Sequence, residues 1–112
     1  MRIARLLATT GVLVALISVP ATPAAQARTI YGCNYLEFCL YRYNFQGLVA
    51  RMKACTWYDV RDIYFTSYVN NQTRGTRAAF YDYARNRISY TKPATATGTT
   101  SLALRTAWVR PC

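Results

Sequence analysis

The chain of 112 residues contains no histidine and only four carboxylates, Glu37, Asp59, Asp62 and Asp82. Without imidazole there is no usual general base near neutral pH. So few acids also serve a hard cation poorly, because such an ion takes several oxygen ligands. Asp59 and Asp62 stand close together, but as a glycosidase pair they are a weak signal. Two loop acids paired with Arg61 or another arginine is the plainer reading. No two cysteines stand at the two-to-four-residue spacing of a zinc knuckle. No apolar stretch reaches the roughly 20 residues that span a bilayer, and no convincing helical stripe runs along the chain. These absences exclude the common hydrolase and metalloenzyme arrangements, so we expect no enzyme activity, no cofactor and no metal.

What is present begins with a targeting signature. Arg2 and Arg5 precede an apolar stretch from Leu6 to Val19, Pro20 and Pro23 break it, and Ala25-Gln26-Ala27 offers the small-x-small pattern of a cleavage site. The expected organisation is a signal peptide over 1–27 and one exported domain over 28–112, with no transmembrane segment in the mature chain. The 85 residues that remain make a small domain, burying roughly 60 to 65% of its unfolded surface, and such a core wants a staple. Cys33, Cys39, Cys55 and Cys112 all lie in this part, and an even count in an exported chain reads as two disulfides. Of three connectivities the preferred one closes the short loop from Cys33 to Cys39 and leaves Cys55 to capture Cys112. The second bridge closes the longer loop and is expected to contribute the larger share, roughly 4 to 5 kcal/mol.

Setting aside Arg2 and Arg5 leaves 12 cations against four carboxylates, a charge of +8. A field of that sign favours acidic partners, including phosphate polymers and teichoic-type or lipid surfaces. The plainer account is that the scattered arginines keep a tyrosine-rich secreted domain soluble.

The mature chain reads as short strands. Phe38 to Gly47 alternates, Cys39, Tyr41, Tyr43 and Phe45 on one side and Phe38, Leu40, Arg42 and Asn44 on the other. Gly47 would supply the positive φ of a reversal, and Leu48 to Ala54 would return. Cys55 to Asp62 reads as a loop or single helical turn that packs Trp57 over the core. Ile63 to Val69 reads as a third strand and Asn70 to Gly75 as a turn. Ala79 to Asn86 resembles Cys39 to Gln46, so the chain holds two copies of one unit, the second without the aligned glycine. Thr91 to Ser101 reads as an exposed threonine-rich loop, and Leu102 to Val109 as the closing strand. The pattern predicts a small antiparallel all-β sandwich or barrel.

Cys33 to Tyr41, the hairpin to Gly47, Thr66 to Thr73 and Phe80-Tyr81-Asp82 together resemble small secreted actinobacterial proteins of the βγ-crystallin superfamily. Among them the likeness is to the peptidase inhibitor family typified by the Streptomyces metalloproteinase inhibitor. The resemblance implies two Greek-key motifs packed as a two-disulfide sandwich, a Ser or Thr near Ser67 that pins the first hairpin, and inhibition of a secreted protease. It brings no aligned counterpart of that family's reactive loop, and Ile63 stands where calcium-binding members carry a second Asn or Asp. From the residues themselves, two stretches suit a stiff inhibitory loop. One is Cys55, Thr56, Trp57 and Tyr58, braced by the Cys55 bridge; the other surrounds Lys92, stiffened by Pro93. The alternative function is a cationic or antimicrobial module acting on anionic cell-envelope polymers. Exposed aromatics suited to stacking are expected at Trp57, Tyr58 or Tyr90. The expected location is extracellular.

Overall fold

The structure, a computed structural model, describes residues 28–112; the expected signal peptide, 1–27, lies outside them. The alternating stretch forms β1 (Glu37–Tyr43), which turns through Asn44 and Phe45 into β2 (Gln46–Met52). Phe45 and Gly47 both take positive φ, at 56° and 66°, so the reversal uses the glycine as its sequence position implies. The two faces of β1 meet different surroundings. Phe38 and Leu40 enter the main core with Met52, Val60, Phe65, Tyr68, Phe80 and Val109. Cys39 and Tyr41 enter a smaller cluster with Cys33 and Val69, packed by Ile30 and Phe45.

Six further strands follow: β3 (Tyr58–Asp59), β4 (Ser67–Asn71), β5 (Ala79–Tyr81), β6 (Arg87–Tyr90), β7 (Ala96–Thr99) and β8 (Trp108–Arg110). They make two antiparallel four-stranded sheets, ordered β2-β1-β4-β7 and β3-β8-β5-β6. The third strand of each four-strand unit crosses to the other unit's sheet, β3 to the second and β7 to the first. This is the expected two-Greek-key sandwich. The internal repeat is visible in its irregularities: the register slips between Leu40 and Tyr41 in the first hairpin and between Phe80 and Tyr81 in the second. The left-handed residue is Phe45 in one copy and Arg85, φ 64°, in the other. Both disulfides pair as preferred, Cys33 with Cys39 and Cys55 with Cys112. Such bridges suit an oxidising compartment, and among the described residues no helix is long and apolar enough to cross a membrane.

Ser67 pins the first hairpin. Its hydroxyl donates to the Tyr43 carbonyl (2.7 Å) and accepts from the Phe45 amide (3.0 Å), while the Thr66 hydroxyl donates to the Arg42 carbonyl (2.8 Å). Ser67 is buried, so removing its oxygen strands two backbone groups. Ser67→Ala is expected to destabilise the fold by about 1 to 3 kcal/mol, read by urea denaturation, with the exposed Ser101→Ala within about 0.5 kcal/mol of the parent. In the second hairpin Trp108 stands opposite Tyr81 as Ser67 stands opposite Tyr41, and no hydroxyl is there to close the turn. Asp82 does so instead, its carboxylate accepting from the amides of Ala84 (3.0 Å) and Asn86 (2.9 Å).

Several local expectations change: the third strand expected from Ile63 begins only at Ser67, and the stretch from Cys55 to Asp62, expected as a loop or helical turn, contains β3. Asn70 and Asn71, expected in a turn, end β4 and are buried. Their amides donate to carbonyls that loops would otherwise leave unpaired, Asn70 to Thr76 and Lys92, Asn71 to Arg28 and Cys33. The threonine-rich stretch contains β7, seated where Gly98 meets the Tyr68 ring; a Cβ there would stand 2.6 Å from it. The closing strand is shorter than expected, because Leu102 to Thr106 folds into a turn held by Thr106 bonding back to Leu102, and Leu104 is 84% exposed. Tyr58, not Trp57, packs toward the core.

Candidate anion-binding face

The two outer sheet faces differ. On the first sheet an amino-terminal arm lies over Cys39, Tyr41 and Val69. It is held by the Cys33 bridge, by the Ile30 to Cys33 pairing, and by the Tyr41 hydroxyl donating to the Tyr31 carbonyl (2.8 Å). Tyr31 stacks on Phe45 at 4.8 Å. Arg51 ties the arm further, bonding the Glu37 carboxylate (2.8 Å) and the Gly32 carbonyl (2.9 Å). Burial raises the Tyr41 phenol above its ordinary value.

On the second sheet the corresponding face carries aromatic rings and guanidiniums. Strand alternation puts Phe80 and Val109 in the core and so turns Tyr81, Trp108 and Arg110 outward. The registers align Asp59, Trp108, Tyr81 and Arg87 in one row across the sheet, and Arg110, Ala79 and Tyr90 in the next. Trp57 packs edge-on against Tyr81 (4.6 Å) and Trp108 (6.5 Å). Cations lie over these rings. Arg85 is 4.8 Å from the Trp57 centre and 4.3 Å from that of Trp108, Arg110 is 5.1 Å from Trp57, and Arg61 is 5.1 Å from Trp108. At the β6 edge Arg87 and Arg77 lie 4.4 and 5.7 Å from the Tyr90 ring. Such a contact holds a guanidinium by its face. Arg61 spends its N–H groups on Asp59, Arg87 donates to the Tyr90 hydroxyl (3.0 Å) and Arg110 to the Cys55 sulfur (3.7 Å), while among the described residues Arg77 and Arg85 keep their N–H edges for an anion.

Asp59 is the acid on this face, and Arg61 grips both its carboxylate oxygens. Those hydrogen bonds hold the Asp59 carboxyl down at about 2. A depressed value adds stability above the ordinary carboxylate range and loses it as pH falls through about 2, so the pair stays ionised and mutually neutralised through the physiological range. Asp59→Asn frees a guanidinium without adding bulk. It is expected to tighten binding of an anionic polymer by roughly 2- to 5-fold, read by titration at low salt.

Of the residues singled out from sequence, Cys55, Thr56 and Trp57 lie on the loop leading into β3, and Tyr58 opens that strand. Cys55 and Thr56 are exposed, and the Tyr58 hydroxyl accepts from the amides of Lys53 (3.2 Å) and Ala54 (3.1 Å), fixing the loop against its own base. Lys92 is elsewhere. It follows β6, with its amide donating to the Tyr68 hydroxyl (3.0 Å) and its ammonium to the Thr97 carbonyl (3.3 Å). The two candidate loops thus adjoin opposite edge strands, β3 and β6, roughly 14 Å apart at the spacing of neighbouring strands. Asp62 is exposed and makes no ion pair among the described residues, but its charge adds to that of Asp59 in favouring the Arg61 cation. Arg61 was expected only as an ion-pair partner of the loop acids, and it pairs with Asp59; for Arg77, Arg85, Arg87, Trp108 and Arg110 the signal available in the sequence was the outward alternation of Trp108 and Arg110 about Val109.

Comparison with protein-family models, with characterised proteins and with solved structures finds no match to this chain.

Proposed function

We propose that the protein is a secreted module that binds anionic cell-envelope polymers through the outer face of its second sheet. One observation carries this reading: five guanidiniums, those of Arg61, Arg77, Arg85, Arg87 and Arg110, lie on aromatic rings of a single face. Gathering like charges is unfavourable for folding alone, and an anionic partner relieves that cost. Arginines that serve only solubility have no need of such seats. Guanidiniums stay charged at all working pH values and the chain has no histidine, so binding to a phosphodiester polymer is expected to be flat between about pH 5 and 8. The test is titration of the oxidised protein with poly(glycerol phosphate) and with a neutral polymer of equal length. Saturable binding of the anionic chain alone supports the reading, and equal binding of both, or of neither, overturns it.

A second reading, inhibition of a secreted peptidase by the loop of Cys55 to Tyr58, is supported by the exposure of Cys55 and Thr56 on a segment tied to Cys112. A panel of secreted metallo-, serine and cysteine peptidases tests it: inhibition that disappears in Thr56→Pro while polymer binding persists separates this activity from the first.

A further inference from the structure

The repeat makes Arg85 informative. Its counterpart in the first copy is Phe45, which also takes a left-handed φ but lies against Tyr31 and Tyr41 beneath the amino-terminal arm. Where the first copy closes an aromatic cluster with a ring, the second places an exposed cation in the angle between two indoles that stand at 82°. A bulky residue at φ 64° is held there against its own preference. The turn holds it firmly, with the Arg85 amide donating to the Asp82 carbonyl (3.0 Å) and the Asp82 carboxylate fixing Ala84 and Asn86 on either side. Among the described residues the Arg85 side chain has no hydrogen-bond or ion-pair partner, and the Nε of Arg110 is buried without one. The Arg110 Nε is enclosed by the fold, so it is the exposed and unengaged guanidinium of Arg85 that faces outward, to a ligand.

What the ligand presents follows from how the rings are occupied. Arg85, Arg110 and Arg61 lie over Trp57 and Trp108, and Arg77 and Arg87 lie over Tyr90. A base or sugar ring that needed to stack would have to displace a guanidinium from its seat. An oxyanion displaces no guanidinium from its ring, because it takes the N–H groups that are not already engaged, those of Arg85 on the Trp57 side and of Arg77 on the Tyr90 side. There are two such stations, at the Trp57 and Tyr90 sides of the sheet, separated by roughly two or three strand spacings, about 10 to 14 Å. A single free phosphate fills one of them, whereas a flexible chain with repeated anions reaches both and gains from linkage.

We infer that the face is a reader of phosphodiester spacing on a polyol-phosphate chain, anchored at Arg85 and blind to aromatic substituents. The inference rests on the polymer-binding reading and narrows it. It separates this occupant from single-stranded nucleic acid, which would be held by base stacking.

The experiment compares three probes of equal phosphate count, poly(glycerol phosphate), an abasic deoxyribose phosphate oligomer and oligothymidylate, with inorganic phosphate as competitor at fixed ionic strength. Equal affinity for the three chains within about threefold is expected, with phosphate competing only weakly. Oligothymidylate binding more than about tenfold tighter than the abasic chain overturns the inference while leaving polymer binding intact; failure of all three chains defeats the polymer reading itself. Arg85→Lys keeps the charge and loses the planar fork, so it should weaken all three chains about tenfold. Arg42→Lys, on the first sheet, should change nothing, and thermal melting of both variants establishes that they fold. Arg85→Lys binding like the parent, with melting unchanged, also overturns the inference.

Discussion

Polymer binding is expected to fall about 10²- to 10³-fold when salt is raised about tenfold, one of the two largest effects the structure leads us to predict. Among the described residues four guanidiniums on the face, of Arg77, Arg85, Arg87 and Arg110, are not paired with a carboxylate, while Arg61 is neutralised by Asp59. Neutralising four phosphates of a single-stranded chain releases its condensed counterions with a log-log slope of about −2.8. Removing two of the cations, as in Arg85→Gln/Arg87→Gln, should flatten the slope to about −1.4 and weaken binding most at low salt. Affinity measured over a salt series gives the slope directly. A slope near zero would mean that the contact is made by the aromatic rings or by the loop of Cys55 to Tyr58, and the anion reading would be lost.

The second large effect concerns stability. Cys55 and Cys112 are 57 residues apart in sequence, and Cys33 and Cys39 only 6. Loop-closure entropy scales with that separation, so Cys55→Ala/Cys112→Ala should lose about 4 kcal/mol and Cys33→Ala/Cys39→Ala about 2. For a domain of this size the former corresponds to a fall of roughly 15 to 30 °C in melting temperature. Circular dichroism melts of the two variants beside the parent make the comparison. The long bridge also joins the segment before Trp57 to the segment after Arg110, the two residues in cation-ring contact. Its loss should therefore weaken polymer binding even below the melting transition, whereas loss of the short bridge, on the other sheet, should not. Equal losses of stability from both variants would mean that the unfolded chain is already compact around Cys55 and Cys112.

How far the sequence discloses this molecule depends on the range over which each signal acts. The hairpin from Phe38 to Gly47 was legible because period-two alternation and a turn glycine are neighbours in the chain. The disulfide pairing was legible because a five-residue loop closes easily and then leaves one choice. The repeat was legible from Leu40-Tyr41 against Phe80-Tyr81, and the structure places a register slip at both. Asn70 and Asn71 misled because an amide has turn propensity wherever it stands, and only tertiary neighbours such as the Thr76 and Cys33 carbonyls show that it is buried and satisfied. The candidate face was illegible for a stronger reason. Trp57, the hairpin of Tyr81 and Arg85, and Arg110 come from three separate segments and meet only through the order β3-β8-β5-β6; in the chain they look like scattered charge.

The traded strands β3 and β7 make the molecule indivisible. Each half lends its partner an edge that the partner cannot make for itself, so severing the chain in the Thr73 to Gly75 turn yields two fragments with unfinished sheets. Alone, neither fragment should hold a melting transition; mixed, they should clasp and regain one. The two copies therefore work only as a pair, each sheet being completed by a strand of the other.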